Sequence, residues 1–177
     1  MTKVDNSWTL FLDRDGVINK RIFGGYILDL SEFEFADGVL STFGALSSKF
    51  GRVVVVTNQQ CVALEQLTEE KLGEIHTWMI AELNKVGGKI DVVFAAKEFK
   101  NQAPFRRKPS PKMAHEAREL FPEIDFQKSI MVGDTDTDIQ FGQDLGMKTV
   151  LIVSKEKTSV VADYTISNFS DLLTCIE

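Results

Sequence analysis

At 177 residues the chain is long enough for one domain spanning 1–177, with a core that buries roughly 70% of its unfolded surface. The composition, 44% hydrophobic and 26% charged, is that of an ordinary soluble globular protein, and the net charge of −6 argues against a broad nucleic-acid-binding face. Cys61 and Cys175 lack zinc-site spacing, no apolar run is long enough to span a bilayer and the first residues form no signal-like apolar region, so a cytoplasmic protein working as a monomer is expected.

The first apolar run, Trp8 to Leu12, stops at Asp13-Arg14-Asp15-Gly16. Residues i and i+2 of a strand share a face, so Asp13 and Asp15 can project together just past its C-terminal end. Two carboxylates there repel, and a compact oxygen-only site favours Mg2+. Gly16 lets the chain turn away. The connection from Val17 to Ala36 is long for a simple loop between strand and helix, which suggests a functional segment.

Val39, Leu40, Phe43, Leu46 and Phe50 then repeat at helical spacing between Gly38 and Gly51. Arg52 to Val56 is a β-branched run suited to burial on both faces of a parallel sheet, and it ends at Thr57-Asn58-Gln59-Gln60. Thr68 can cap a helix whose buried stripe is Leu72, Ile75, Met79, Leu83 and Val86. A third strand, Ile90 to Ala96, leads into a loop with the basic end Arg106-Arg107-Lys108, and Ser110 with Pro111 reads as an N-cap and first helical residue. Ser129 to Val132 is a fourth strand ending at Gly133-Asp134. A helix from about Asp136 to Leu145, a fifth strand from Lys148 to Val153, a short strand from Tyr164 to Ile166 and a helix from near Ser170 complete the chain.

Alternating strands and helices with short connections predict an α/β, Rossmann-like doubly wound parallel sheet. Ligands bind beyond the carboxyl ends of such strands, where Asp13/Asp15, Thr57/Asn58, Lys108 and Asp134/Asp138 all fall. That set suits phosphoryl transfer. Like charges 4 Å apart repel by about 4 kcal/mol at an effective dielectric of 20, so a carboxylate nucleophile needs cations beside its phosphoryl target. Mg2+ on Asp13, the Asp15 backbone carbonyl and Asp134 supplies one, and Lys108 another. The Thr57 hydroxyl and the backbone near Asn58 donate to the phosphoryl oxygens, and Asp138 can orient Lys108 or a metal-bound water. Asp13 then forms an aspartyl phosphate, while Asp15, carrying a proton when substrate arrives, protonates the leaving oxygen and later activates water.

FLDRDGVIN at 11–19, VVVVTNQ at 53–59, RKP at 107–109 and MVGDTDTDI at 131–139 resemble, in order, the four motifs of the haloacid dehalogenase superfamily of phosphatases. The resemblance implies Asp13 as nucleophile, Asp15 as acid and base, Thr57 and Lys108 as phosphate binders, and Asp13, Asp15 and Asp134 around Mg2+. Within the superfamily, DRDGVIN, GGYI, EFEFADGV and RKPSP are most similar to the D-glycero-D-manno-heptose 1,7-bisphosphate phosphatases, relatives of the histidinol-phosphate phosphatases. A small phosphorylated sugar is therefore the expected partner, on a route to surface-polysaccharide precursors, with no nucleic acid and no membrane.

Two departures bear on this. Many of those enzymes carry a Cys/His zinc site before RKP, whereas Lys97 to Arg106 has neither residue, so no zinc is expected. The glycine and arginine that commonly follow TNQ are absent from Gln60 to Glu65. The spans from Asp13 to Thr57 and from Thr57 to Lys108 are filled by the sheet's own elements, leaving no room for a cap of on the order of 50 residues. Selectivity then falls to loops 19–35, 59–67 and 97–107.

Arg107, Asn19 and Gln59 are candidate substrate contacts, and Arg106 is either a second phosphate ligand or a solvated charge. His76 and His115 lie within helices, away from the site edge, and Cys61 and the phenylalanines Phe33, Phe35 and Phe43 read as packing. The competing activities are histidinol-phosphate hydrolysis and, from another class, a nucleic-acid 3′-phosphatase, against which the acidic charge and the missing aromatic-basic track count.

Overall fold

In the computed structural model, which describes residues 1–177, six strands form one parallel sheet ordered β3-β2-β1-β4-β5-β6. They are β1 (Thr9–Leu12), β2 (Arg52–Asn58), β3 (Val92–Ala96), β4 (Ser129–Gly133), β5 (Lys148–Ile152) and β6 (Tyr164–Ile166). Period-2 alternation divides the buried residues between two cores. Leu10, Leu12, Val53, Val55, Ile130 and Val132 face a large cluster shared with α1 (Val39–Ser47), α2 (Glu69–Lys85) and α5 (Leu172–Cys175). Phe11, Val54, Val56 and Met131 face a smaller one shared with α3 (Lys112–Leu120) and α4 (Asp136–Asp144). The chain is thus a single α/β, Rossmann-like domain with helices on both sheet faces, and none of them is long and apolar enough to cross a membrane.

The order places the switch point at β1, whose Leu12 stands in register with Val55 of β2 and Val132 of β4. The ends of three adjacent strands therefore open onto one crevice, the position where open α/β sheets bind ligands. β2 runs two residues beyond the predicted Val56, because Thr57 and Asn58 pair with Ala95 and Ala96 of β3. This turns Thr57 from a loop residue into a fixed one.

The connection from β1 to α1 is pinned by aromatic packing. Phe33 and Phe35 meet edge-on at 5.2 Å between centroids, and both pack on Trp78 of α2, at 5.4 and 5.8 Å. Thr68 caps α2 as expected, its hydroxyl accepting from Lys71 N–H at 3.2 Å, a contact typically worth about 1 kcal/mol. The predicted Ser110 cap is not made: Pro111 is the residue before α3, and no side chain caps that helix. At the C-terminus a 3-10 turn, Phe169–Asp171, precedes α5, so regular helix starts later than the sequence suggested.

Candidate active site

Asp13, Thr57, Lys108, Asp134 and Asp138 are all buried at the carboxyl edge of β1, β2 and β4. Close backbone approach makes this possible. A Cβ on Gly16, whose φ is +96°, would stand 2.3 Å from Asp134 Oδ2, and one on Gly133 would stand 2.1 Å from Asp138 Cβ. Glycine is required at both positions for the acids to share this volume.

Lys108 Nζ lies 2.8 Å from Asp13 Oδ1 and 2.6 Å from Asp138 Oδ1. Burial alone would lower the pKa of this ammonium, but Asp13 and Asp138 outweigh it and hold the group above its usual range. Asp138 uses its other oxygen to accept from Asp134 N–H, Thr135 N–H and the Thr135 hydroxyl, at 3.2, 3.0 and 2.6 Å, which fixes it at the start of α4. The Lys108 backbone is gripped by Asn58, whose Oδ1 accepts its N–H at 3.0 Å. Asn58 therefore positions the lysine as well as lining the cavity.

Carboxylate oxygens of Asp13, Asp134 and Asp138 all lie within 4.8 Å of one another. Burial, opposed by Lys108 and reinforced by Asp138 and Asp134, raises the Asp13 pKa to about 7. Burial and Asp138 raise that of Asp134 to about 6 against the pull of Arg21. Both shifts come first from burial and then from the neighbouring acids. The donors are all oxygen and the gap is compact, which fits a hard divalent cation.

Asp15 is treated differently. The Arg14 guanidinium, fully buried, donates from Nη2 to both its oxygens at 2.9 Å; Asn19 Nδ2 donates at 2.9 Å and Gln59 Nε2 at 2.7 Å. These partners outweigh burial and lower the Asp15 pKa. Two features of Asp15 follow. With no substrate bound its side chain is a hydrogen-bonded carboxylate, and it points away from the cluster of Asp13, Asp134 and Asp138, as the expected metal contact through its backbone carbonyl requires. Its backbone carbonyl accepts no hydrogen bond from the protein. Asn19 and Gln59, expected to contact substrate, are fully buried and serve Asp15, with Gln59 also donating to Thr57 Oγ1 at 2.9 Å.

His76 is likewise not remote from the site. Its Nε2 stands 3.2 Å from Arg14 Nη1, and burial followed by the Arg14 charge lowers its pKa to about 3, so a neutral ring backs the guanidinium. Cys61 packs in the core with Sγ 3.6 Å from Gln59 Oε1.

The loop before Lys108, which offers neither Cys nor His, is organised by charge. Glu98 Oε1 accepts the N–H groups of Arg106 and Arg107 at 2.5 and 2.9 Å. The Arg106 guanidinium forks onto Glu116 of α3 at 2.9 and 2.6 Å and donates to the Ala95 carbonyl at 2.9 Å. Arg106 thus belongs to the loop's framework, while Arg107 lines the cavity.

That cavity, about 370 Å3, is lined by Asp13, Asp15, Arg21, Thr57, Arg107 and Lys108 among others. Arg21 is the residue that sequence reasoning missed. Its Nη1 lies 3.1 and 3.2 Å from the two oxygens of Asp134, and its Nη2 lies 3.5 Å from Glu156. Its place in the long connection that follows the Asp13/Asp15 strand was the available sign, but a charged residue in an unpatterned loop reads as solvated.

A family model described as "HAD-hyrolase-like" matches residues 105–170. The chain is 34% identical over 161 residues to the D-glycero-alpha-D-manno-heptose-1,7-bisphosphate 7-phosphatase of Burkholderia mallei, covering 86% of this chain and 83% of that protein. It is 32% identical to the D-glycero-beta-D-manno-heptose-1,7-bisphosphate 7-phosphatase of Escherichia coli K12, covering 92% and 90%. Its fold is similar to that of the D,D-heptose 1,7-bisphosphate phosphatase of B. bronchiseptica crystallised with magnesium and phosphate, with TM-score 0.82, 21% identity and coverage of 95% and 97% of the two chains.

Proposed function

Because the chain belongs to the haloacid dehalogenase-like phosphatases, among the heptose-bisphosphate phosphatases, we propose that it removes the 7-phosphate of D-glycero-D-manno-heptose 1,7-bisphosphate with Mg2+ as cofactor. The observation that carries this reading is the pairing of Asp13 with Lys108 Nζ at 2.8 Å in a cavity it shares with Thr57. A buried carboxylate with a fixed ammonium beside it is arranged for attack on an anion that an isolated carboxylate would repel.

In the first displacement an Asp13 oxygen bonds to phosphorus while the bond from phosphorus to the sugar oxygen breaks. Lys108 neutralises the equatorial oxygens, and the Thr57 hydroxyl donates to one of them. The sugar oxygen takes a proton as it leaves. For Asp15 to supply it, the Asp15 carboxyl must come off Arg14 when substrate enters, since the same donors otherwise keep it ionised. In the second displacement water bonds to phosphorus, the Asp13–phosphorus link breaks and Asp15 takes the water's proton, a step suited to a carboxylate.

Asp13 and Asp134 would hold the Mg2+, with the free Asp15 carbonyl as a third protein ligand. When bound, the cation compensates the phosphoryl charge and polarises its oxygens. Asp138, committed to Lys108 and the start of α4, orients the lysine. Without a separate cap, selectivity rests on loops 19–35, 59–67 and 97–107, with Arg107 facing the part of the substrate outside the reacting phosphate. Phosphate release from both heptose-bisphosphate anomers, other sugar phosphates, histidinol phosphate and 3′-phosphorylated DNA, with and without Mg2+, tests the proposal. Mg2+-dependent release that favours a heptose bisphosphate supports it; preference for any other substrate in the set overturns the assignment of substrate.

A further inference from the structure

Arg21 Nη1 donates to both oxygens of Asp134 and brings positive charge to the one acid of the Asp13, Asp134 and Asp138 cluster that Lys108 does not touch. Of the two charge partners, Asp134 is fully buried, whereas Glu156 is 39% exposed in its side chain and the contact with it is longer. The stronger tie is therefore to the acid. The loop that carries Arg21 is fixed behind it, where Lys20 N–H donates to the Glu34 carbonyl at 2.8 Å and Asn19 pairs with Asp15 and Phe35. Ahead of it Ile22, Phe23 and Gly24 are exposed. The arginine can thus leave Asp134 without dismantling the sheet or the Asp15 cluster.

Charge decides what this contact does. A divalent cation held by Asp134 would stand close to a guanidinium that spans both of its oxygens, and their like charges oppose each other at such range. Resting on the Mg2+ reading of the site, we infer that Arg21 is a built-in competitor of the cation, bound to Asp134 before the metal arrives and displaced when it is held. Arg21 stabilises the metal-free acids and weakens metal affinity by the same interaction, as linkage requires.

The test is calorimetric titration of the substrate-free protein with Mg2+ alone, comparing wild type, Arg21→Gln and Arg21→Lys. Arg21→Gln removes the competitor, and the expected result is a Kd about five- to tenfold lower than wild type, the equivalent of one partly exposed ion pair. Arg21→Lys keeps the charge on a shorter side chain and falls between the two. Thermal melts give a second reading. Without Mg2+ the Gln variant melts below wild type, and its gain on adding saturating Mg2+ is larger. An unchanged or higher Kd for Arg21→Gln beside normal wild-type binding overturns the inference and leaves the proposed function standing. A wild-type protein that binds no Mg2+ overturns the metal reading itself.

Discussion

Asp13 and Asp15 leave the same strand two residues apart, yet one is met by a buried arginine fork, an asparagine and a glutamine, while the other shares a single ammonium with Asp138 and faces Asp134. Their pKa values move in opposite directions accordingly, down for Asp15 and up to about 7 for Asp13. The protein satisfies the first carboxylate from its own side chains and leaves the second short of positive charge. A shortage that the fold maintains with buried residues is an arrangement for charge that arrives from outside.

Substitutions at the two positions separate activity from stability. Asp13→Asn removes the nucleophile, so turnover falls by at least about 10^3-fold. The same change also removes a buried like charge, so the metal-free protein melts no lower than wild type at pH 8. Asp15→Asn costs activity as well, but it leaves Arg14 buried without its anion and lowers stability by about 3 kcal/mol, measured by urea denaturation. Equal stability losses at the two positions would erase the contrast.

The smaller effects come from the supports. Glu116→Gln breaks the fork that holds Arg106 and with it the loop before Lys108, which lowers kcat on the order of tenfold with Mg2+ affinity retained. His76 sharpens the Asp15 side. Its pKa is depressed from 6.5 to about 3, so its contribution is fully present above pH 6.5 and is lost as pH falls toward 3. Between pH 7 and pH 5 wild type should lose about 2 kcal/mol that His76→Gln does not, by denaturation at both pH values.

Much of this site was legible in the sequence because its backbone-borne parts sit where patterns end. β-branched runs mark the strands and the strand ends mark the edge: Asp13 and Asp134 follow directly from β1 and β4, and Thr57 is the last residue but one of β2. Partnerships among side chains were not legible. The amides of Asn19 and Gln59 carry no periodicity that says whether they face substrate or Asp15, and their full burial decided it. For His76 a sign did exist, since it follows Leu72 by four residues and precedes Met79 by three, on the buried stripe of α2. For Arg21 the sign was too weak to name a partner, because Asp134 lies 113 residues away in sequence and only the order of strands in the sheet brings the two together.

The most direct test of the account is a rapid acid quench after mixing the Mg2+-loaded protein with a substrate labelled in the transferred phosphoryl group. The label should be retained on a peptide containing Asp13, released by hydroxylamine as an acyl phosphate is, and absent from Asp13→Asn. Label on another residue, or full turnover in Asp13→Asn, would contradict the account.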